Sequence, residues 1–122
     1  MLECFMLLGV KHTIADLWLQ YFLGKQNKTS YLGNAHLHYV HHGIGTLLVM
    51  FLFLPFHLAI ACALFDYILH WHIDWAKTNY QNYKSIDRNK NAGHFWFVQS
   101  VDQSLHFVTY YIIVKYLSNT TF

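Results

Sequence analysis

Four of the six acidic residues, Asp16, Asp66, Asp74 and Asp102, lie inside apolar stretches rather than in the polar segments between them. Few folds admit carboxylates in such places. On a membrane-spanning helix each costs about 2.5–3.5 kcal/mol near the centre, so it faces the interior of a bundle, paired or functional. Composition favours the bilayer setting. Hydrophobic residues make up 55% of the chain and charged residues 11%, against roughly a quarter charged in an ordinary soluble domain. So few charges cannot cover a water-soluble surface. Ten histidines and the polar stretch 78–93 hold the mean hydropathy down to +0.22.

The longest apolar run, 43–65, is uncharged and interrupted by Pro55 and His57. Proline removes a backbone donor and restricts the residue before it, so a tight turn at Leu54, Pro55 and Phe56 divides the run between two helices. The resulting fold is an all-α integral membrane bundle, a single domain over 1–122, with four transmembrane helices at about 2–23, 35–53, 57–77 and 94–116. About 20 residues are needed for each span. Both polar connectors, 25–34 and 78–93, then fall on one side, carrying or adjoining Lys25, Lys28, Lys77, Lys84, Arg88 and Lys90, with only Lys11 and Lys115 elsewhere. The positive-inside rule makes that side cytoplasmic and puts both termini outside, in a bacterial inner membrane or its equivalent. A three-helix alternative, with 43–65 as one span, would place His38 and Asp74 at opposite faces.

Other classes drop out. A net charge of +2, with its basic residues in connectors, is too small and too scattered for nucleic acid. Cys4 and Cys62 are too few for a zinc ribbon or a disulfide framework and are expected to pack. The apolar N-terminus lacks a basic flank and a small-residue cleavage site, so it is expected to be retained. Trp75, Tyr80, Phe95 and Trp96 cluster at helix ends, as interfacial aromatic belts do.

Each expected helix carries polar residues four apart, hence on one stripe. The first offers His12, Asp16 and Gln20; the second His38 and His42, with Gly43 and Gly45 allowing close approach. The third offers Asp66, His70 and Asp74, and the fourth Asp102, Gln103 and His106. Asp16 and Gln20, His38 and His42, His70 and Asp74, and Asp102 and His106 all fall in the cytoplasmic half of their helices. Imidazole with carboxylate and no thiolate suits zinc, iron or manganese, and facing i, i+4 pairs are how bundles build metal cages. The expected divalent-metal ligands are Asp16, His38, His42, His70, Asp74 and His106, a donor count that also allows a dinuclear centre. His12, Gln20, Lys77 and Gln103 are expected to orient them. His36, His41, His57, His72 and His94 are expected to be packing or interfacial residues. A metal-free network of buried His–Asp bonds remains open on the same pattern.

The blocks HTIADLWLQ at 12–20, HYVHHG at 38–43, LHWHIDWAK at 69–77 and VDQSLH at 101–106 resemble domain-of-unknown-function family 3307, small multi-pass membrane proteins of bacteria and phages. The resemblance spans nearly the whole chain and rests on the order of the blocks. It implies functional roles for Asp16 and Gln20, for His38 and His42, for His70, Asp74 and Lys77, and for Asp102, Gln103 and His106. Lys11 departs from the pattern, which has one histidine flanked by apolar residues there. The resemblance implies topology and residue choice, and no activity.

Three functions fit. The first is a membrane metalloenzyme, a metal-dependent hydrolase of a lipid or lipid-linked substrate, with Asp66 or Asp102 as general base. A non-enzymatic carrier would relay protons or metal ions through the same residues. An accessory subunit would use them to hold the bundle together, as a homo-oligomer or within a larger membrane complex.

Overall fold

Pro55 divides the apolar run as its chemistry requires. In the structure, a computed structural model, α3 (His36–Phe51) ends just before it and α4 (Phe56–Tyr83) begins just after. Residues 2–23, 31–86 and 89–117 are described, without the side chains of Gln20, Leu23, Tyr116 and Leu117. The Leu54 amide still donates to Met50 O at 2.8 Å, and Pro55 O accepts the Leu58 and Ala59 amides that open α4. Proline with φ −57° therefore costs no hydrogen bond at this corner.

The remaining elements complete four helical rods. α1 (Leu2–Thr13) runs through a π-helical stretch (Ile14–Leu19) into α2 (Gln20–Leu23), and α5 (Ala92–Ile112) runs into a second π-helical stretch (Ile113–Leu117). No strand occurs among the described residues, so the all-α architecture is as the sequence predicts. α3 packs most extensively on α4; α1 lies on α3, α5 on α4, and α1 also meets α5, which closes the bundle. α4 continues past Lys77 to Tyr83. Asn79 Nδ2 donates to Trp75 O at 2.8 Å there, and just past the helix end Ser85 takes a positive φ of 51°.

The packing has two layers. Cys4, Leu8, Met50, Leu54, Ala59, Cys62, Ile113 and Val114 form an apolar core at the end that holds the Pro55 corner. Both cysteines are free and buried, and Cys4 Sγ packs 3.5 Å from Met50 Sδ. Beyond this layer the interior turns polar. Lys11, His12, His38, His42, Thr46, Asp66, His70, Asp74, Asp102, His106 and Thr109 are all buried. The outer face is apolar instead: Leu2, Leu17, Leu48, Leu52 and Phe97 are each more than 60% exposed.

Among the described residues α4 alone is a single helix long and apolar enough to cross a bilayer. The other rods fall short of that measure for identifiable reasons. α3 stops at Phe51 because of the Pro55 corner, a π-helical stretch interrupts the first rod, and the fourth carries Asp102, Gln103 and other polar residues.

Candidate metal centre

All four rods deliver side chains to one buried cluster, and the i, i+4 stripes explain why. His38 and His42 project from α3, His70 and Asp74 from α4, and Asp102 and His106 from α5. Asp16 enters from the π-helical stretch, a distortion that recurs at functional sites. The rings of His42, His70 and His106 form a ladder, with centroids 3.7 Å apart for the first pair and 4.0 Å for the second.

The Nε2 atoms point at one another and at carboxylate oxygens. His38 Nε2 lies 3.2 Å from His70 Nε2, 3.3 Å from Asp16 Oδ1 and 3.7 Å from Asp74 Oδ2. His70 Nε2 is 3.2 Å from Asp74 Oδ2, and His42 Nε2 is 3.5 Å from Asp16 Oδ1. His106 Nε2 sits between Asp74 Oδ1 at 3.2 Å and Asp102 Oδ1 at 3.3 Å. Two ligands about 2.0–2.1 Å from one tetrahedral ion stand roughly 3.3 Å apart. These donors already have that spacing. Two overlapping groups emerge, Asp16, His38, His42 and His70, and His70, Asp74 and His106, the donor atoms of each lying within 4.8 Å of one another.

Metal-bound histidines commonly donate their far ring nitrogen to a carboxylate, and this site is built differently. The carboxylates sit on the Nε2 side, and Nδ1 of His70 and of His106 is buried with no hydrogen bond among the described residues. The orienting contacts reach the carboxylates instead. Gln103 Nε2 donates to Asp16 Oδ2 at 3.3 Å and Asp102 Oδ2 at 3.1 Å, which turns Oδ1 of both toward the histidines.

With its amide so placed, Gln103 Oε1 accepts from His12 Nε2 at 2.7 Å. His12 Nδ1 is then an acceptor for the Tyr110 hydroxyl, also at 2.7 Å. Tyr110 in turn accepts from Lys11 Nζ at 3.0 Å. Lys11 also donates to Asp66 Oδ2 at 2.9 Å, and Thr46 Oγ1 donates to the same oxygen. This second network ties all four rods together. Its Lys11 lies 3.3 Å from His42 Nδ1, which makes that nitrogen an acceptor and leaves the ring proton of His42 on Nε2.

Every described residue expected at the site is therefore in the cluster or joined to it. Asp102 is buried against Lys77 Nζ at 3.4 Å, and Asp66 against Lys11, so each of the two carboxylates expected to act as base carries a lysine. The Gln20 side chain lies outside the described residues, as do Lys25, Lys28 and Arg88. His36, His72 and His94 meet tyrosines, at Tyr67, Tyr31 and Tyr80 respectively, and His57 is exposed. Sequence reasoning missed Thr46, Tyr110 and the role of Lys11. The available signal was Gly45, where a Cβ would come within 2.5 Å of Lys11 Cγ. The glycine makes room for the lysine stem.

Residues 4–122 match a family described as a protein of unknown function, DUF3307. No curated protein and no solved structure matches the chain.

Proposed function

The chain belongs to the DUF3307 family, and from that premise and its geometry we propose that it is a four-span membrane protein holding a divalent metal ion between its helices. The inverted packing supports the membrane half of this reading. A bundle with a lysine and four aspartates largely buried and leucines outside is stable where the surroundings are hydrocarbon. The basic connectors then face the cytoplasm.

The observation that carries the metal half is how the charges are distributed. Lys11 and Lys77 are committed to Asp66 and Asp102, while Asp16 and Asp74 meet the Nε2 atoms of His38 and His70 at ligand spacing. A zinc, iron or manganese ion among Asp16, His38, His70 and Asp74 would bring to these two carboxylates the positive charge that Lys11 and Lys77, paired elsewhere, do not. His42, protonated at Nε2, flanks Asp16, and His106 holds the second oxygen of Asp74. Such an ion acts as a Lewis acid in hydrolysis where its coordination leaves a position open, as six-coordinate iron or manganese would. Of Asp16, His38, His70 and Asp74, Asp16 is the least buried, at 23% exposed.

One observation favours a second reading, the accessory subunit. Without an ion, the Nε2 atoms of His70 and His106, 3.2 Å from Asp74 and 3.3 Å from Asp102, would serve those carboxylates as hydrogen-bond donors. Elemental analysis separates the two. Protein purified without added metal and without a nickel-affinity step should carry roughly one ion per chain. Far less than that, in protein whose helices remain folded, would end the metal reading and leave the hydrogen-bonded subunit.

A further inference from the structure

Between α4 and α5 lies a groove of about 510 Å³ whose wall includes both Lys77 and Asp102. That volume is within the range of about 300–1,000 Å³ typical of ligand sites. The groove is graded along its length. Tyr80 and His94 stand at its connector end, with the tyrosine hydroxyl 3.4 Å from His94 Nε2. Lys77 comes about one turn further in. Below it the lining is apolar apart from His72 and Asp102, with Ile73 and Leu69 from α4 and Val101 and Leu105 from α5. At 1.5 Å per residue, Leu69 lies about 12 Å deeper than Lys77 along the helix.

Lys77 makes this more than a furrow that any acyl chain would fill. Its side chain is 14% exposed and pairs with Asp102 at 3.4 Å, yet no hydrogen bond reaches its ammonium among the described residues. An ammonium has three donors. With one donor turned toward Asp102, the ammonium keeps donors for an anionic headgroup whose hydrocarbon tail follows the apolar channel. The groove is also continuous with the metal centre. Asp102 lines it, and Asp102 Oδ1 is 3.3 Å from His106 Nε2, which is 3.2 Å from Asp74 Oδ1.

We propose that this groove binds one anionic membrane lipid, its phosphate at Lys77 and one hydrocarbon chain along Ile73, Leu69, Val101 and Leu105. The proposal deepens the hydrolase reading by naming its substrate class, and it rests on that reading for the chemistry, not for the binding.

The test uses the full chain in zwitterionic lipid nanodiscs doped with phosphatidic acid carrying a photoreactive diazirine in one chain. Phosphatidylcholine with the same chain is the comparison. Phosphatidic acid should label peptides containing Ile73 and Val101 about five-fold more than phosphatidylcholine, the weight of one lysine near an anionic lipid. Lys77→Gln should bring the two to the same level. Val101→Trp, which fills the groove, should lower labelling by both. Unlabelled phosphatidic acid should compete on the unmodified protein where unlabelled phosphatidylcholine does not. Equal labelling by the two lipids, or labelling indifferent to both variants and to the competitor, would show ordinary bilayer chains in the groove and overturn the proposal. Metal measured in the same samples keeps the two readings apart. Selective labelling without metal removes the metal centre and keeps the lipid site, and metal without selective labelling does the reverse.

Discussion

His38 and His70 face each other across the α3–α4 interface with their Nε2 atoms 3.2 Å apart. One proton between them would satisfy one nitrogen as donor and the other as acceptor, but both nitrogens also face carboxylates, Asp16 and Asp74. On the metal reading proposed above, a cation between them would take up both nitrogens and the carboxylates they face. For that reason the site is best tested through its carboxylates, where charge and ligation change together.

Asp74→Asn should release the ion while leaving the helices inserted, because asparagine is nearly isosteric and cheaper to bury than a carboxylate. Loss of affinity should exceed the roughly 100-fold that removing an orienting partner costs at most. His57→Gln, at an exposed position by the Pro55 corner, should leave metal content unchanged. Metal analysis of both variants beside the parent is the measurement, and an Asp74→Asn protein that keeps its ion would remove Asp74 from the ligand set.

Gln103→Glu tests the orienting amide. It replaces the donor that reaches both Asp16 and Asp102 with a third carboxylate, so both aspartates lose the contact that aims Oδ1 at the histidines. Metal affinity should fall about 10–100-fold. Titration with a competing chelator reads this directly, and an unchanged affinity would mean that the histidines alone set the geometry.

The centre was legible in the sequence wherever helical spacing alone decides which side chains share a face. His38 with His42, His70 with Asp74, and Asp102 with His106 each fall on one stripe, and Pro55 marks the corner that turns α3 back along α4. Which carboxylate meets which cation was not legible, because that depends on rotation and depth between rods. Lys11 is adjacent to His12, and nothing local says that both face inward or that the lysine crosses to Asp66 on α4. The π-helical stretch that carries Asp16 has no sequence signature either. α4 outruns its expected end because Asn79 and its neighbours are polar yet compatible with a helix, so composition marks a connector where the backbone continues.

The topology has its own test. Single cysteines at Lys28 and Lys84, in a background lacking Cys4 and Cys62, should react with an impermeant thiol reagent only once the cytoplasmic face is opened. Labelling of one site but not the other in intact cells would rule out four spans, since both connectors must then lie on the same side.

The buried ion pair of Lys11 and Asp66 should matter to stability more than to the metal. Lys11→Met leaves Asp66 buried with the Thr46 hydroxyl as its remaining contact in the network, and breaking such a pair from one side costs about 3–5 kcal/mol. Removing the carboxylate as well, in Lys11→Met with Asp66→Leu, should recover most of that loss, because replacing both partners by apolar groups is often neutral or better. Gly45→Ala should resemble the single lysine variant in kind. Its Cβ would stand 2.5 Å from Lys11 Cγ and 2.6 Å from Cδ, and the stem cannot swing aside while its ammonium stays on Asp66 and Tyr110. Overpacking of that sort costs about 1–3 kcal/mol. Unfolding of the detergent-solubilised variants, followed by helicity, is the measurement. If Lys11→Met unfolds with the parent, the pair carries no stability. If Gly45→Ala is silent while Lys11→Met is not, the lysine reaches Asp66 by a path that does not cross Gly45.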